Sequence, residues 1–104
     1  MLFQVSWNVE SQNRMACWNA FGNMTAVDDL KDAGDDIKVR GRWHHLGGGG
    51  GTCICECTSA AALNAWMLNW GGICNITVVP VVNDADARKS LQEKSWFQTK
   101  VDPS

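Results

Sequence analysis

The residues most able to bind a metal or take part in catalysis lie in one short stretch, where two adjacent histidines precede three alternating cysteines. These are His44 and His45, followed by Cys53, Cys55 and Cys57. Successive side chains of a strand point to opposite faces, so the two histidines cannot chelate one ion together. The three cysteines would share a face, with neighbours about 6.8 Å apart. Their parallel side chains disfavour a disulfide among them.

A β-hairpin is predicted to join the histidines to the cysteines. Its strands span residues 37–45 and 52–58, and the five glycines at 47–51 form the loop. The simplest interpretation of these glycines is a mobile hairpin tip. An anion-binding nest is the alternative, but the glycines do not open a helix and no Lys-Ser/Thr follows them. Both the P-loop and the dinucleotide fingerprints therefore fail.

If the hairpin closes symmetrically, its register sorts the side chains onto two faces. His45 lies opposite Cys53, and Arg42 lies opposite Glu56, which pairs two opposite charges. A slip by one residue would place Arg42 against a cysteine instead. One face, expected beneath the helices, carries the cysteines with Val39, Gly41, Trp43 and His45. The other face carries Lys38, Arg40, Arg42, His44 and Glu56.

Two candidate ligand sites follow from these faces. On the basic face, Arg42, His44 and Glu56 would line a cavity for a small anionic molecule if a second copy enclosed it. The alternative is a solvated row of charges. On the helix-covered face, Trp66 would form the apolar wall of a pocket for an aromatic ligand, with Trp43 and His45 converging on it.

His45 is the candidate catalytic base of that second pocket. Together with Cys53 it is also a weak candidate for a zinc site, which would need at least one more ligand; Cys55 is one diagonal step away. A histidine beside a buried thiol at a hairpin end is the commoner explanation. The sequence therefore predicts no metal and no cofactor.

The remaining segments surround the hairpin in a recognisable order. Alternation predicts a strand over residues 2–9, and two helices follow, the second over residues 26–33. A third helix begins after Thr58 or Ser59. A strand over 73–82 contains Pro80, and a last helix runs from Asn83 to about Ser95. This α+β order, βαββαβ with a C-terminal helix, predicts a ferredoxin-like antiparallel sheet of order 4-1-3-2. Pro80 then lies on an edge strand, where proline is tolerated.

Length and composition limit the function classes. The 104 residues suit one domain, over residues 1–95, with a tail over 96–104. A net charge of −2 argues against nucleic-acid binding. No signal-peptide pattern or apolar stretch long enough for a membrane is seen. An odd number of cysteines, five, suits a reducing compartment, so a cytoplasmic protein is expected.

Three short segments carry a family resemblance: Met1-Leu2-Phe3, Gly41-Arg42-Trp43-His44 and Pro80-Val81-Val82-Asn83-Asp84. They resemble a functionally uncharacterised family of small bacterial and phage proteins. That family is similar in fold to the dimeric α/β-barrel proteins, which include cofactor-free monooxygenases and haem-binding enzymes. The resemblance implies a homodimer with a ligand cavity and supplies no catalytic residues.

A homodimer is also predicted from the sheet itself. Helices on one side leave the other side open, and Ile54, Val79 and Val81 would be exposed there unless a second copy covered them. The leading hypothesis is a homodimeric domain that binds a small ligand or a protein partner without established catalysis. The alternative is a cofactor-free monooxygenase-like enzyme that uses His45.

Overall fold

The computed structural model describes residues 1–94, which form one four-stranded antiparallel sheet with the first three helices packed on one side. The strands are β1 (Leu2–Asn8), β2 (Lys38–His44), β3 (Gly50–Glu56) and β4 (Asn75–Val81). The helices are α1 (Arg14–Gly22), preceded by a 3-10 turn over Ser11–Asn13, α2 (Ala26–Ala33), α3 (Ala60–Trp70) and α4 (Asp84–Glu93). The spatial order β2-β3-β1-β4 confirms the ferredoxin-like prediction.

The edge position of β4 explains how the sheet accommodates a proline. Pro80 lies opposite Phe3 of β1 and has no neighbouring strand on its other side. Because β4 pairs with β1 alone, the missing N–H of Pro80 removes no hydrogen bond to a further strand. The central strand β1 places Val5 in the core, between Cys53 of β3 and Val78 of β4.

Side-chain caps define three of the helix starts. Thr25 and Asp28 form a reciprocal capping box at α2. Ser59 accepts a hydrogen bond from the Ala62 N–H at α3, and Asn83 accepts one from the Asp86 N–H at α4. These contacts satisfy backbone donors that have no partner within the helix.

The hairpin between β2 and β3 differs from the symmetric closure expected from the glycine run. Gly50 and Gly51 belong to β3, and the His45 N–H bonds the Gly50 carbonyl at 2.9 Å, so the loop is shorter than five glycines. A β-bulge at Arg40 adds one residue to β2, between the pairs Val39–Cys55 and Gly41–Ile54. Because the loop closes between His45 and Gly50, and because of this bulge, the predicted register is wrong along the whole hairpin.

The bulge exchanges the two faces of β2 along most of its length. Val39 remains on the cysteine face, as predicted, because it precedes the bulge. Arg42 lies opposite Cys53 and not opposite Glu56, which forms its ion pair with Arg40. Since a shift by one residue turns every following side chain over, Arg42 and His44 belong to the helix-covered face. Trp43 and Gly41 lie on the open one.

Gly50 and Gly51 of β3 are both required by close packing, and at Gly50 a methyl group would collide with the carbonyl oxygen of Trp7. A methyl group on Gly51 would collide with the carbonyl oxygen of Trp43 and with the indole ring of Trp7. We expect Gly51→Ala to lower the free energy of unfolding by about 1–3 kcal/mol through overpacking. Gly72→Ala is the matched control, because no atom lies within 4 Å of its added carbon. Equal urea midpoints for the two variants would contradict this account.

No helix among residues 1–94 has the length and apolar character needed to span a bilayer. The predicted last turn of the C-terminal helix, at Ser95, and the tail over 96–104 lie outside the described residues. Within them, α4 ends at Glu93.

Candidate functional site

A cavity of about 240 Å³ lies between the helix-covered face of the sheet and the helices α1 and α3. Sites for drug-sized ligands usually measure about 300–1,000 Å³, so this one suits a single-ring molecule. Its wall is rich in aromatic side chains: Trp7, Trp18, Phe21, Trp66 and Trp70. Trp66, the residue proposed from the sequence as an apolar pocket wall, is 5% exposed and lines this cavity.

Arg42 is the only charged residue, within the described chain, that lines this cavity. Its guanidinium carbon lies 4.9 Å from the centre of the Phe21 ring, a cation–π arrangement. One guanidinium nitrogen lies 3.4 Å from Oδ1 of Asp29 on α2, and that oxygen is buried without a hydrogen-bond partner among residues 1–94. The ion pair therefore holds Arg42 loosely. Its planar donors remain able to meet a second acceptor.

His44 lies beside Arg42 on the same wall. Its ring centre is 5.5 Å from that of Trp7, edge to face, and 4.9 Å from that of Phe21. Burial, and secondarily the positive charge of Arg42, lower the pKa of His44 below its ordinary 6.5. The imidazole is consequently neutral near pH 7 and presents one donor and one acceptor.

The lowered pKa of His44 makes the free energy of unfolding depend on pH. Below pH 6.5 the unfolded chain takes up a proton that folded His44 resists, so stability falls as the pH decreases toward the lowered folded value. We expect the free energy of unfolding of the wild type to decrease more steeply over this window than that of His44→Gln. Urea titrations on both sides of pH 6.5 measure the difference. Parallel curves would show that His44 makes no such contribution.

Asp32 of α2 positions two of the cavity's indoles. Its Oδ2 accepts the Nε1–H of Trp66 at 3.0 Å and that of Trp70 at 2.8 Å, while its Oδ1 accepts from Asn69. The carboxylate thereby docks α2 onto α3 and satisfies two indole donors that face the interior.

The glycine loop forms the rim of the cavity. Trp18 of α1 donates its Nε1–H to the Gly48 carbonyl at 2.9 Å, and a side chain at Gly48 would collide with that indole. Gly48 also has a φ of 74°, which disfavours any other residue. The loop is thus packed against α1 at Gly48.

The structure separates the other residues singled out from the sequence. Trp43 is 60% exposed on the open face, over Gly41, and does not line the cavity. His45 follows β2 at the hairpin end and is also absent from the cavity wall. Glu56 pairs with Arg40 on the open face, and this contact holds its pKa below the usual range.

The proposed pairing of His45 with Cys53 is therefore wrong. Arg42 takes the place opposite Cys53, because the loop closes between His45 and Gly50 and not around all five glycines. No cluster of three or more metal-ligating side chains occurs within residues 1–94. Burial raises the pKa of Cys53, and raises that of Cys55 to about 12, with the neighbouring thiols adding to the effect at Cys55. Both thiols are held in their protonated form.

Several residues of the site escaped the sequence analysis, among them Asp29, Asp32, Trp18 and Phe21. The spacing of Asp29 and Asp32 could have indicated them, because positions i and i+3 of a helix lie on one face. The segment 26–33 was predicted to be helical, and α2 confirms it. Which partner each carboxylate meets depends on the position of α2 over the sheet, which the segment alone does not specify.

A solved structure with the same fold supports this architecture. The protein Rv0793 from Mycobacterium tuberculosis is similar to this chain, with a TM-score of 0.50 and 15% identity. The similarity covers 81% of this chain and 97% of that one. At this identity the likeness concerns the fold alone.

Comparison with known sequences identifies a family for this chain but assigns it no activity. No curated protein matches the chain. A family model, however, matches residues 1–95, and with it the sheet, all four helices and every residue of the cavity wall. The chain therefore belongs to the family described as a domain of unknown function, DUF3303.

Proposed function

We propose that this domain binds a small, single-ring aromatic molecule that carries one acidic oxygen substituent. The observation that supports this most is the placement of Arg42 and His44 in an otherwise apolar, aromatic-lined cavity. Aromatic walls stack on a planar ring, and a few convergent polar groups orient it.

The charge distribution favours a monoanion over a more highly charged ligand. Arg42 brings one positive charge, Asp29 partly offsets it, and His44 is neutral near pH 7 because its pKa is lowered. A second negative charge on the ligand would find no compensating group in the cavity wall of the described chain. A carboxylate or a phenol suits these groups, since each can accept a hydrogen bond from the guanidinium.

Tryptophan fluorescence offers a direct test, because four indoles lie in the cavity wall. We expect benzoate to quench the emission in a saturable, one-to-one manner, and toluene to bind more weakly. Cyclohexanecarboxylate, which keeps the charge and loses the planar ring, should also bind more weakly. Linear, unsaturable responses to benzoate and phenol alike would contradict the proposal.

The same proposal includes a homodimer that associates through the open face of the sheet. Trp43 is 60% exposed and Val79 is 45% exposed on that side. Leu2, Ile54 and Val81 line a groove there, next to the Arg40–Glu56 ion pair. An apolar patch with paired charges at its border suits a self-complementary C2 contact with a second copy.

Light scattering on variants tests the dimer. We expect twice the chain mass for the wild type and a monomer for Ile54→Glu, which introduces an unpaired charge into the patch. Leu68→Glu is the control, since Leu68 is exposed on α3, away from the sheet. A monomeric wild type, or dissociation by Leu68→Glu alone, would contradict this interface.

A second candidate function is catalysis of the cofactor-free monooxygenase type. It is favoured by the neutral His44 beside the Arg42 cation, a base next to a group that stabilises the anion formed by proton removal. His44 would then take the role first assigned to His45. Oxygen uptake with small phenols and hydroquinones tests it, with loss of uptake expected in His44→Gln. Uptake equal to that of buffer would eliminate this candidate.

A further inference from the structure

Two of the five cysteines form a close pair away from the others. The sulfur atoms of Cys17 and Cys74 lie 3.8 Å apart, although the residues are separated by 57 positions in the chain. Cys17 belongs to α1, and Cys74 immediately precedes β4. With Val9 they form a small apolar cluster of their own. Their contact therefore joins the first helix to the last strand.

The other three cysteines lack this geometry. Cys53, Cys55 and Cys57 alternate along β3 and its end, each separated by one residue. On a strand that spacing is about 6.8 Å, with side chains that run parallel and do not converge. Within the described chain, only Cys17 and Cys74 are placed for an intramolecular disulfide.

Small molecules can approach the pair through the cavity. Cys17 and Cys74 are 8% and 7% exposed, yet both line the cavity wall. Large or charged reagents are disfavoured by the apolar surroundings, whereas a small neutral oxidant is not. Cys53 also lines the cavity, but in the described chain its sulfur is not in contact with a second cysteine sulfur, so the proximity of two thiols distinguishes the pair.

We propose that Cys17 and Cys74 are a modification site, at which a small neutral peroxide converts the two thiols to a reversible disulfide. In the first step one thiol loses its proton, and the thiolate sulfur attacks one peroxide oxygen; the O–O bond breaks, sulfenic acid forms, and the leaving hydroxide takes up that proton to give water. In the second step the other sulfur attacks the sulfenic sulfur and expels a second water. Hydrogen peroxide gains two electrons, and the two cysteines lose them together with their protons.

The environment of the pair makes the reaction strongly dependent on pH. Burial, and secondarily the neighbouring Cys17 thiol, raise the pKa of Cys74 to about 12. The thiolate is the reactive form, so we expect the rate to rise roughly tenfold per pH unit across the neutral to alkaline range. The second step is intramolecular, and the proximity of the two sulfurs favours it over further oxidation of the sulfenic acid.

The full chain, reduced and freed of reductant, is the material for the test. We expect hydrogen peroxide to make each chain lighter by two hydrogens without a disulfide between chains, with the peptides of Cys17 and Cys74 linked, and dithiothreitol to reverse the change. The oxidised protein should have a higher Tm, because the bridge restricts the unfolded chain. The inference does not depend on ligand binding, and no ligand is added.

Variants identify the cysteines that react. Cys17→Ala and Cys74→Ala should each abolish the mass change, whereas Cys53→Ala, a buried cysteine in the other cluster, should retain it. A link between other cysteines, persistence of the change in Cys17→Ala, or formation of sulfinic acid alone would overturn the proposal. If the alanine variants do not fold, peptide mapping of the oxidised wild type still decides between these outcomes.

Discussion

Replacing Arg42 by glutamine is expected to weaken the binding of benzoate by about 10- to 150-fold, the equivalent of the roughly 1.5–3 kcal/mol that a hydrogen bond to a charged group contributes. The guanidinium is the only cation that lines the cavity in the described chain, so no neighbouring group can replace it. Titration by fluorescence and by calorimetry measures the change. Affinity for toluene, which has no acceptor, should remain within about twofold.

Arg40→Gln is the matched control, because Arg40 lies on the same strand and pairs with Glu56 on the opposite face. It should leave the affinity for benzoate unchanged. Asp29→Asn extends the test, because it removes the carboxylate that lies 3.4 Å from the Arg42 guanidinium. We expect tighter binding of benzoate in this variant. Equal losses in Arg40→Gln and Arg42→Gln would mean that only the overall charge matters.

Trp66→Ala is expected to lower the free energy of unfolding by about 3–5 kcal/mol, the cost typical of removing a buried tryptophan from a core. The ring is 5% exposed and belongs to the main core together with Val5 and Leu63. For a domain of this size such a loss is a large share of the total stability. Urea denaturation followed by circular dichroism measures it without relying on the indole itself.

Trp66→Phe separates packing from hydrogen bonding. It keeps most of the aromatic volume and removes the Nε1–H that donates to Asp32 at 3.0 Å. We expect a smaller loss than in Trp66→Ala, since a second indole, that of Trp70, still donates to the same oxygen. If both variants were equally destabilised, the Asp32 contact would account for the effect and the core packing would not.

Much of the fold was predictable because several local signals agree with one topology. The alternation in β1, the glycines and caps that delimit α2 and α3, and Pro80 on an edge strand each point to the ferredoxin-like order that the structure has. Each signal depends only on residues close in sequence, or on the requirement that a strand carrying proline lie at an edge.

The candidate site was harder to predict, and the reason is the charge pattern of β2. Arg40 and Arg42 are two residues apart, and either could pair with Glu56 in a plausible register. The structure selects Arg40, at the bulge. That selection also reflects Gly50 and Gly51, which the sequence suggests as loop but which β3 uses to admit the Trp7 ring. Tertiary packing, absent from any local window, decides between the alternatives.

The bulge at Arg40 allows Val39 and Arg42, which are three residues apart, to lie on the same face of the sheet. Deletion of Arg40 would remove only the extra residue and would leave the pairs Val39–Cys55 and Arg42–Cys53 in place. If Val39 kept its partner and the full strand paired without a bulge, Arg42 and His44 would instead face outward and Trp43 would face the helices. The bulge itself, and not only the residue types of β2, therefore determines which side chains of this strand line the cavity.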